Sequence, residues 1–198
     1  MGDVVSNGLT NGAIYAIVAL GFVLIYRNSG VFNFAHPQIG MIGGFTFFAL
    51  WVEQSWPYPV ALLAAMALSA AVAFAVRQLL APQEGNPLNM LIGTLGAGGI
   101  LTWIAQDIWG ETPAFVPPFG SGVKLDVAGL HFGGPALLVI GALVVVLVLT
   151  TVYYRRSSAG LATRAVASDR SVSVLMGVNV GLVSTATWTV AGALAGLA

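Results

Sequence analysis

Apolar residues in this chain gather into runs of about 20, long enough to cross the roughly 30 Å hydrocarbon layer of a bilayer. Six such runs can be drawn, at residues 5–26, 37–52, 59–76, 90–109, 135–154 and 181–198. The expected fold class is therefore all-α, a polytopic transmembrane helix bundle with about six spans. The 9 Pro sit mainly between the runs. The last run is still apolar at Ala198. With no polar anchor after it, the bundle is expected to be one part of a longer protein.

Composition agrees with that pattern. The chain has 198 residues, of which 58% are hydrophobic and only 7% charged, against about 25% charged in soluble domains. A soluble protein of this size needs more charge to cover its surface. The 25 Gly fit a membrane bundle, where small residues let helix backbones approach. Three pairs have small-xxx-small spacing: Gly8 and Gly12, Gly40 and Gly44, and Gly192 and Gly196. Tight helix packing is the expected role of all three.

The positions of the charges give an orientation. Arg27, Arg77, Arg155, Arg156, Arg164 and Arg170 all fall in alternate connections, while the others hold only Lys124. Positive charge stays on the cytoplasmic side, so segments 27–36, 77–89 and 155–180 are expected there, with the N-terminus outside. The stretch before the first run carries Asp3 and no Lys or Arg, unlike a cleaved signal peptide.

No Asp, Glu, Lys or Arg lies near the middle of a run. Proton relays and voltage sensors depend on such residues, so both mechanisms lose ground. An enzyme is the least favoured class. His36 and His131 lie near span ends, there is no Cys, and neither HExxH nor GxSxG occurs. The Gly120-Ser121-Gly122 triplet, among prolines, reads as a turn.

Two segments are more than apolar. In the first, residues 27–38, Gly30 suits a helix C-terminus and Pro37 the first turn of the next helix, with His36 pushed toward an extended conformation. Span two is then short, about 24 Å at the α-helical rise. Either the connection is an ordinary cap with Phe32 and Phe34 at headgroup level, or Asn33 to Gln38 dips inward. An inward dip would aim a helix N-terminus at a solute. Asn33, His36 and Gln38 are the candidate pathway residues in this segment. Asn7 and Asn11, four apart on one helix face, could extend a polar path or bond a neighbouring helix.

The second segment is 155–180. Leu161, Ala165, Val172, Leu175 and Met176 recur at helical steps, with Arg164, Asp169 and Arg170 mostly elsewhere. This amphipathic helix needs a partner, either the membrane surface or a groove in a cytoplasmic protein. Gly177 and Asn179 are expected to end it before the sixth span.

With these residues assembled, the chain resembles the permease subunits of branched-chain amino-acid ABC importers, the H-type subunit more than the M-type. The resemblance rests on Gly8-Leu9-Thr10-Asn11-Gly12-Ala13-Ile14-Tyr15-Ala16, on Val31-Phe32-Asn33-Phe34-Ala35-His36, and on Arg164-Ala165-Val166-Ala167 through Leu175-Met176-Gly177-Val178-Asn179. It runs from near the N-terminus to the last residue, with 111–134 uninformative.

The resemblance implies a single permease domain over 1–198 in a bacterial inner membrane. Its partners would be the lipid bilayer, a second permease subunit, cytoplasmic ATP-binding subunits and an extracytoplasmic solute-binding protein, with no nucleic acid. The chain itself would hold no cofactor, ATP being used by the partner subunits. Leu161, Arg164, Ala165, Asp169, Val172, Leu175, Met176 and Gly177 would form the coupling segment. Two positions depart from the family pattern: Pro37-Gln38 stand where a Gly and an acid are usual, and Ser168-Asp169 where an acidic pair is usual. Urea or short amides are alternative substrates within the same family. A membrane channel or scaffold driven by no ATPase is the alternative from another class.

Overall fold

The computed structural model describes residues 2–110, 116–117, 124–127 and 130–198. Helix α1 covers Gly2–Ser29, α2 His36–Phe48, α3 Tyr58–Leu80 and α4 Pro87–Trp109. A hairpin of β1 (Lys124–Val127) and β2 (Leu130–Gly133) follows. Then come α5 (Gly134–Arg156), α6 (Ser158–Ser168), α7 (Arg170–Leu175) and α8 (Val180–Leu197). The fold is an all-α polytopic bundle. The antiparallel hairpin, with Leu125 opposite Phe132, lies in the stretch where the sequence was uninformative, and the Gly120-Ser121-Gly122 triplet falls outside the described residues.

Local signals set most helix ends. The N–H of Gly30, at φ +70°, donates to the Tyr26 carbonyl at 2.8 Å and closes α1. Asn86 caps α4, its Oδ1 accepting from the N–H groups of Leu88 and Asn89, with Pro87 at the first helical position. Asn179 caps α8 by accepting from the Leu182 N–H at 3.0 Å.

Among the described residues, five helices are long and apolar enough to cross a membrane: Val4–Ser29, Tyr58–Gln83, Pro87–Trp109, Gly134–Arg156 and Val180–Leu197. The expected sixth, around 37–52, is helical but is not among these five. There α2 runs for 13 residues and passes into a π-helical turn over Ala49–Glu53.

At the centre, α8 runs against α1, α3 and α2. Its Gly192 and Gly196 face Ser69 of α3: a Cβ on Gly192 would stand 2.7 Å from the Ser69 carbonyl oxygen, and one on Gly196 2.8 Å from the Ser69 Cβ. Gly43 of α2 meets the same place, with a Cβ 2.8 Å from the Gly196 Cα. Backbones therefore touch where van der Waals contact drives association in lipid. Of the other spaced pairs, Gly40 meets the Ala195 carbonyl, while Gly8, Gly12 and Gly44 face open space. Helix α5 lies at the edge along α1, burying little beyond Gly134 and Val146.

The three arginine-bearing connections meet at one end. Glu84 pairs with Arg77 and Arg170 there, and Ser29 and Val31 line a small cavity with the same Glu84 and Arg170. The hairpin stands at the other end, since α5 leads from Gly134 beside β2 to Arg155 and Arg156.

Candidate functional site

The chain turns inward after α1, burying Asn33, Ala35 and His36. The His36 ring lies so close to α1 that a Cβ on Gly21 would sit 2.6 Å from its Cε1 and Nε2, and its centroid is 4.6 Å from that of Phe22. The Phe34 N–H donates to Thr94 Oγ1 of α4 at 3.3 Å, and Ala35 and Gln38 face Gly98. Gly21 is eight residues from the end of α1 and Thr94 seven from the start of α4, about 12 and 10 Å at the α-helical rise. Gly98 is eleven residues into α4, about 16 Å. Helix α2 thus begins roughly 10–16 Å inside the bundle, as a discontinuous helix. Phe32 and Phe34 stay exposed, with Phe32 stacked on Tyr26 at 4.5 Å.

Two details of the turn differ from the sequence reading. His36, expected to be extended before Pro37, is instead the first residue of α2, and Ala35 before it is already near-helical at φ −80°, ψ −5°. A side-chain to backbone bond makes this turn: Asn33 Oδ1 accepts from the Ala35 N–H at 3.0 Å, and the His36 N–H donates to the Asn33 carbonyl at 3.1 Å. That local closure outweighs the mild preference set by the following proline.

The inward turn brings polar groups into an apolar interior. His36 is 0% and Asn33 1% exposed. The His36 ring lies close to the Val18 backbone, yet neither ring nitrogen completes a hydrogen bond among the described residues. The same holds for Asn33 Nδ2, Gln38 Oε1, both side-chain atoms of Asn28 and Trp188 Nε1. Buried polar groups are normally paired, so these positions hold unused donors and acceptors inside the bundle. Of the five predicted pathway residues, Asn33, His36 and Gln38 lie in the turn and the first residues of α2, with His36 against Gly21 and Phe22 of α1 and Gln38 against Gly98 of α4. Asn7 and Asn11 lie elsewhere: both are exposed on the outer face of α1, toward the hairpin end.

At the arginine-bearing end, the expected single amphipathic helix is two. Helix α6 stops at Ser168, and Asp169, extended at φ −154°, ψ 111°, caps α7 by accepting from the Val172 N–H at 2.9 Å. Aspartate is a strong N-cap, which is why the chain breaks there. Gly177, at φ +80°, closes α7: its N–H donates to the Val174 carbonyl and that of Val178 to the Ser173 carbonyl, both at 3.0 Å.

The apolar stripe points outward. Leu161 is 60%, Val172 52%, Leu175 85% and Met176 79% exposed. Leu161, Ala165, Asp169, Val172 and Met176 line one open groove between α6 and α7, and Arg164 is exposed on α6. What α6 and α7 bury against the bundle is a different set, Gly160, Thr163, Val166 and Ser173.

A network that the sequence does not reveal, joining Glu84, Arg77, Ser184 and Arg170, holds this segment in place. Glu84 Oε1 accepts from Arg77 Nη2 at 2.9 Å and from Ser184 Oγ at 2.8 Å, while its Oε2 meets Arg170 Nη2 at 2.5 Å. Arg77 Nη2 also donates to the Gly181 carbonyl at 3.4 Å. The available signal was that Glu84 and Asp169 are the only acids among six arginines on that side. For Thr94 and Trp188, lodged in apolar runs, the sequence carried no comparable mark. Among the described residues no group of three or more His, Cys, Asp or Glu could hold a metal ion.

Comparison with known proteins bears on both regions. Residues 4–198 match the family described as branched-chain amino acid transport system, permease component. The chain is 30% identical over 208 residues to the high-affinity branched-chain amino acid transport system permease protein BraD of Pseudomonas aeruginosa, covering 97% of this chain and 67% of that protein. It is 25% identical to the corresponding LivH protein of Salmonella typhimurium, with the same coverage. It is 26% identical to a probable LivH permease of Methanocaldococcus jannaschii, covering 93% of this chain and 61% of that protein. No solved structure matches the chain.

Proposed function

The chain belongs to the family of branched-chain amino acid transport permease components, and from that membership we propose that it is a transmembrane subunit of an ATP-driven importer for branched-chain amino acids, seated in the inner membrane with its arginine-bearing end in the cytoplasm. A second permease subunit completes the path, ATP-binding subunits dock below it, and a solute-binding protein delivers cargo from outside. ATP is used by those partners.

The observation that carries this reading is the outward apolar groove of α6 and α7. Leucine and methionine held that far into water, at the end rich in arginine, call for a protein partner that covers them. Asn33, His36 and Gln38 supply the second half: hydrogen-bonding groups at the start of a discontinuous helix, where the positive end of the dipole favours a carboxylate. Asn7 and Asn11 lie apart from these residues, exposed on α1.

Co-expression with the ATP-binding subunits tests the reading. The unmodified chain retains them through purification, and Leu175→Asp or Met176→Asp loses them while the bundle itself stays folded. Unchanged retention in both variants, together with binding of the 158–179 region to anionic vesicles with no ATPase present, would favour a membrane-resting scaffold instead.

A further inference from the structure

The bonds to Glu84 divide between its two oxygens. Oε1 is held by the bundle, from Arg77 near the end of α3 and Ser184 in α8. Oε2 is held by Arg170, the first residue of α7. The two arginines differ in burial: the Arg77 side chain is 7% exposed and that of Arg170 40%.

That difference decides which half can let go. A buried carboxylate with no partner is expensive, and breaking a buried pair from one side is strongly unfavourable. Removing Arg170 does not create that situation. Glu84 keeps its ion pair with Arg77 and its bond from Ser184, while the half-exposed guanidinium of Arg170 returns to water, where ion pairs are weak. Removing Arg77 would leave the buried side uncompensated. Arg170 also stands next to Asp169, the break between α6 and α7. A cavity of about 160 Å³ lies beside the pair, lined by Ser29, Val31, Gly85, Pro87 and Met90, and gives the side chain room to swing.

We propose that Arg170 and Glu84 form a releasable latch between the coupling segment and the bundle, made in one state of the transport cycle and broken in the other, so that displacement of α7 reaches α3 and α8 through one carboxylate. This rests on the importer reading above. Arg170 is a positioning residue: it acts through Glu84 and touches neither solute nor nucleotide.

The chain has no cysteine, so a single Ser173→Cys, on the buried side of α7 at 3% exposure, reports whether α7 is seated. In the full chain in lipid vesicles, adding Arg170→Gln raises its rate of reaction with a water-soluble maleimide by about three- to tenfold, and Arg170→Lys brings the rate most of the way back. In the assembled transporter, Arg170→Gln keeps the ATPase bound yet lowers the solute moved per ATP hydrolysed. An unchanged labelling rate in Arg170→Gln, or uptake and hydrolysis falling in parallel, overturns the latch. If the unmodified chain retains no ATPase, the importer reading fails, and the labelling rate, which needs only the folded chain, still decides whether Arg170 seats α7.

Discussion

At residues 33–38 the bundle takes polar groups into its interior, where His36 and Asn33 are almost wholly buried; at 161–176 it holds apolar groups out, with Leu175 at 85% exposure. Each region breaks the usual sorting of side chains, and in opposite directions. The same backbone device underlies both. A side-chain oxygen bonds a backbone N–H two or three residues on, Asn33 to Ala35 and Asp169 to Val172, so the chain turns where an apolar run alone would carry on. What differs is the surroundings. The first turn is held between α1 and α4, and the helix that follows it packs on α8, whereas the second is tied to the body through a charge network and a short buried seam. Buried polar groups suit selection of a solute, and a tethered apolar surface suits docking and movement.

The comparison breaks most completely if that hold fails. Gly196→Leu places a side chain against Ser69 where backbones already touch, and overpacking of this kind costs about 3 kcal/mol or more. The expected result is loss of the monodisperse bundle in detergent, seen by size exclusion and thermal unfolding. Retention of the wild-type melting temperature would show that α2 is not held as described. The outward region is expected to respond without any loss of fold. Under the proposed function, Leu175→Asp weakens ATPase association by about 2 kcal/mol, roughly 30-fold, in a pull-down titration, with an unchanged melting curve.

Smaller effects sharpen the contrast inside the first region. Asn33→Ala removes the bond that makes the turn and lowers stability by about 1 kcal/mol. His36→Leu replaces unpaired buried polar atoms by apolar ones and leaves stability within about 1 kcal/mol of wild type, or higher. Under the proposed function it nevertheless lowers solute uptake. A large loss of stability in His36→Leu would mean that the ring is a structural element. Asn7→Ala and Asn11→Ala, on the exposed face of α1, are expected to shift stability by less than about 0.5 kcal/mol, measured by the same unfolding assay.

Much of this was legible in advance. The long spans, the arginine-bearing end, Gly30 and Gly177 as helix stops and the break at Asn179 all follow from residues acting on their near neighbours or on the bilayer. The outward stripe of 161–176 was visible as well, because helical spacing gives a face its character whatever covers it. The break at Asp169 was available locally and went unread, since the apolar spacing continues across it. Glycine spacing was a weaker guide: Gly192 and Gly196 pack against Ser69 while Gly8 and Gly12 meet nothing within 4 Å.

The sequence alone therefore determined the membrane solvent, the helical class and the chemistry offered by each segment, because partition into lipid and helix capping are properties of short stretches of chain. Only the tertiary structure decided how deep α2 begins, which glycines become contacts and that Glu84 joins Arg77 to Arg170. These depend on which faces of distant helices meet. In lipid that choice is made by shape and by pairing across the bundle, over separations such as the 86 residues between Glu84 and Arg170.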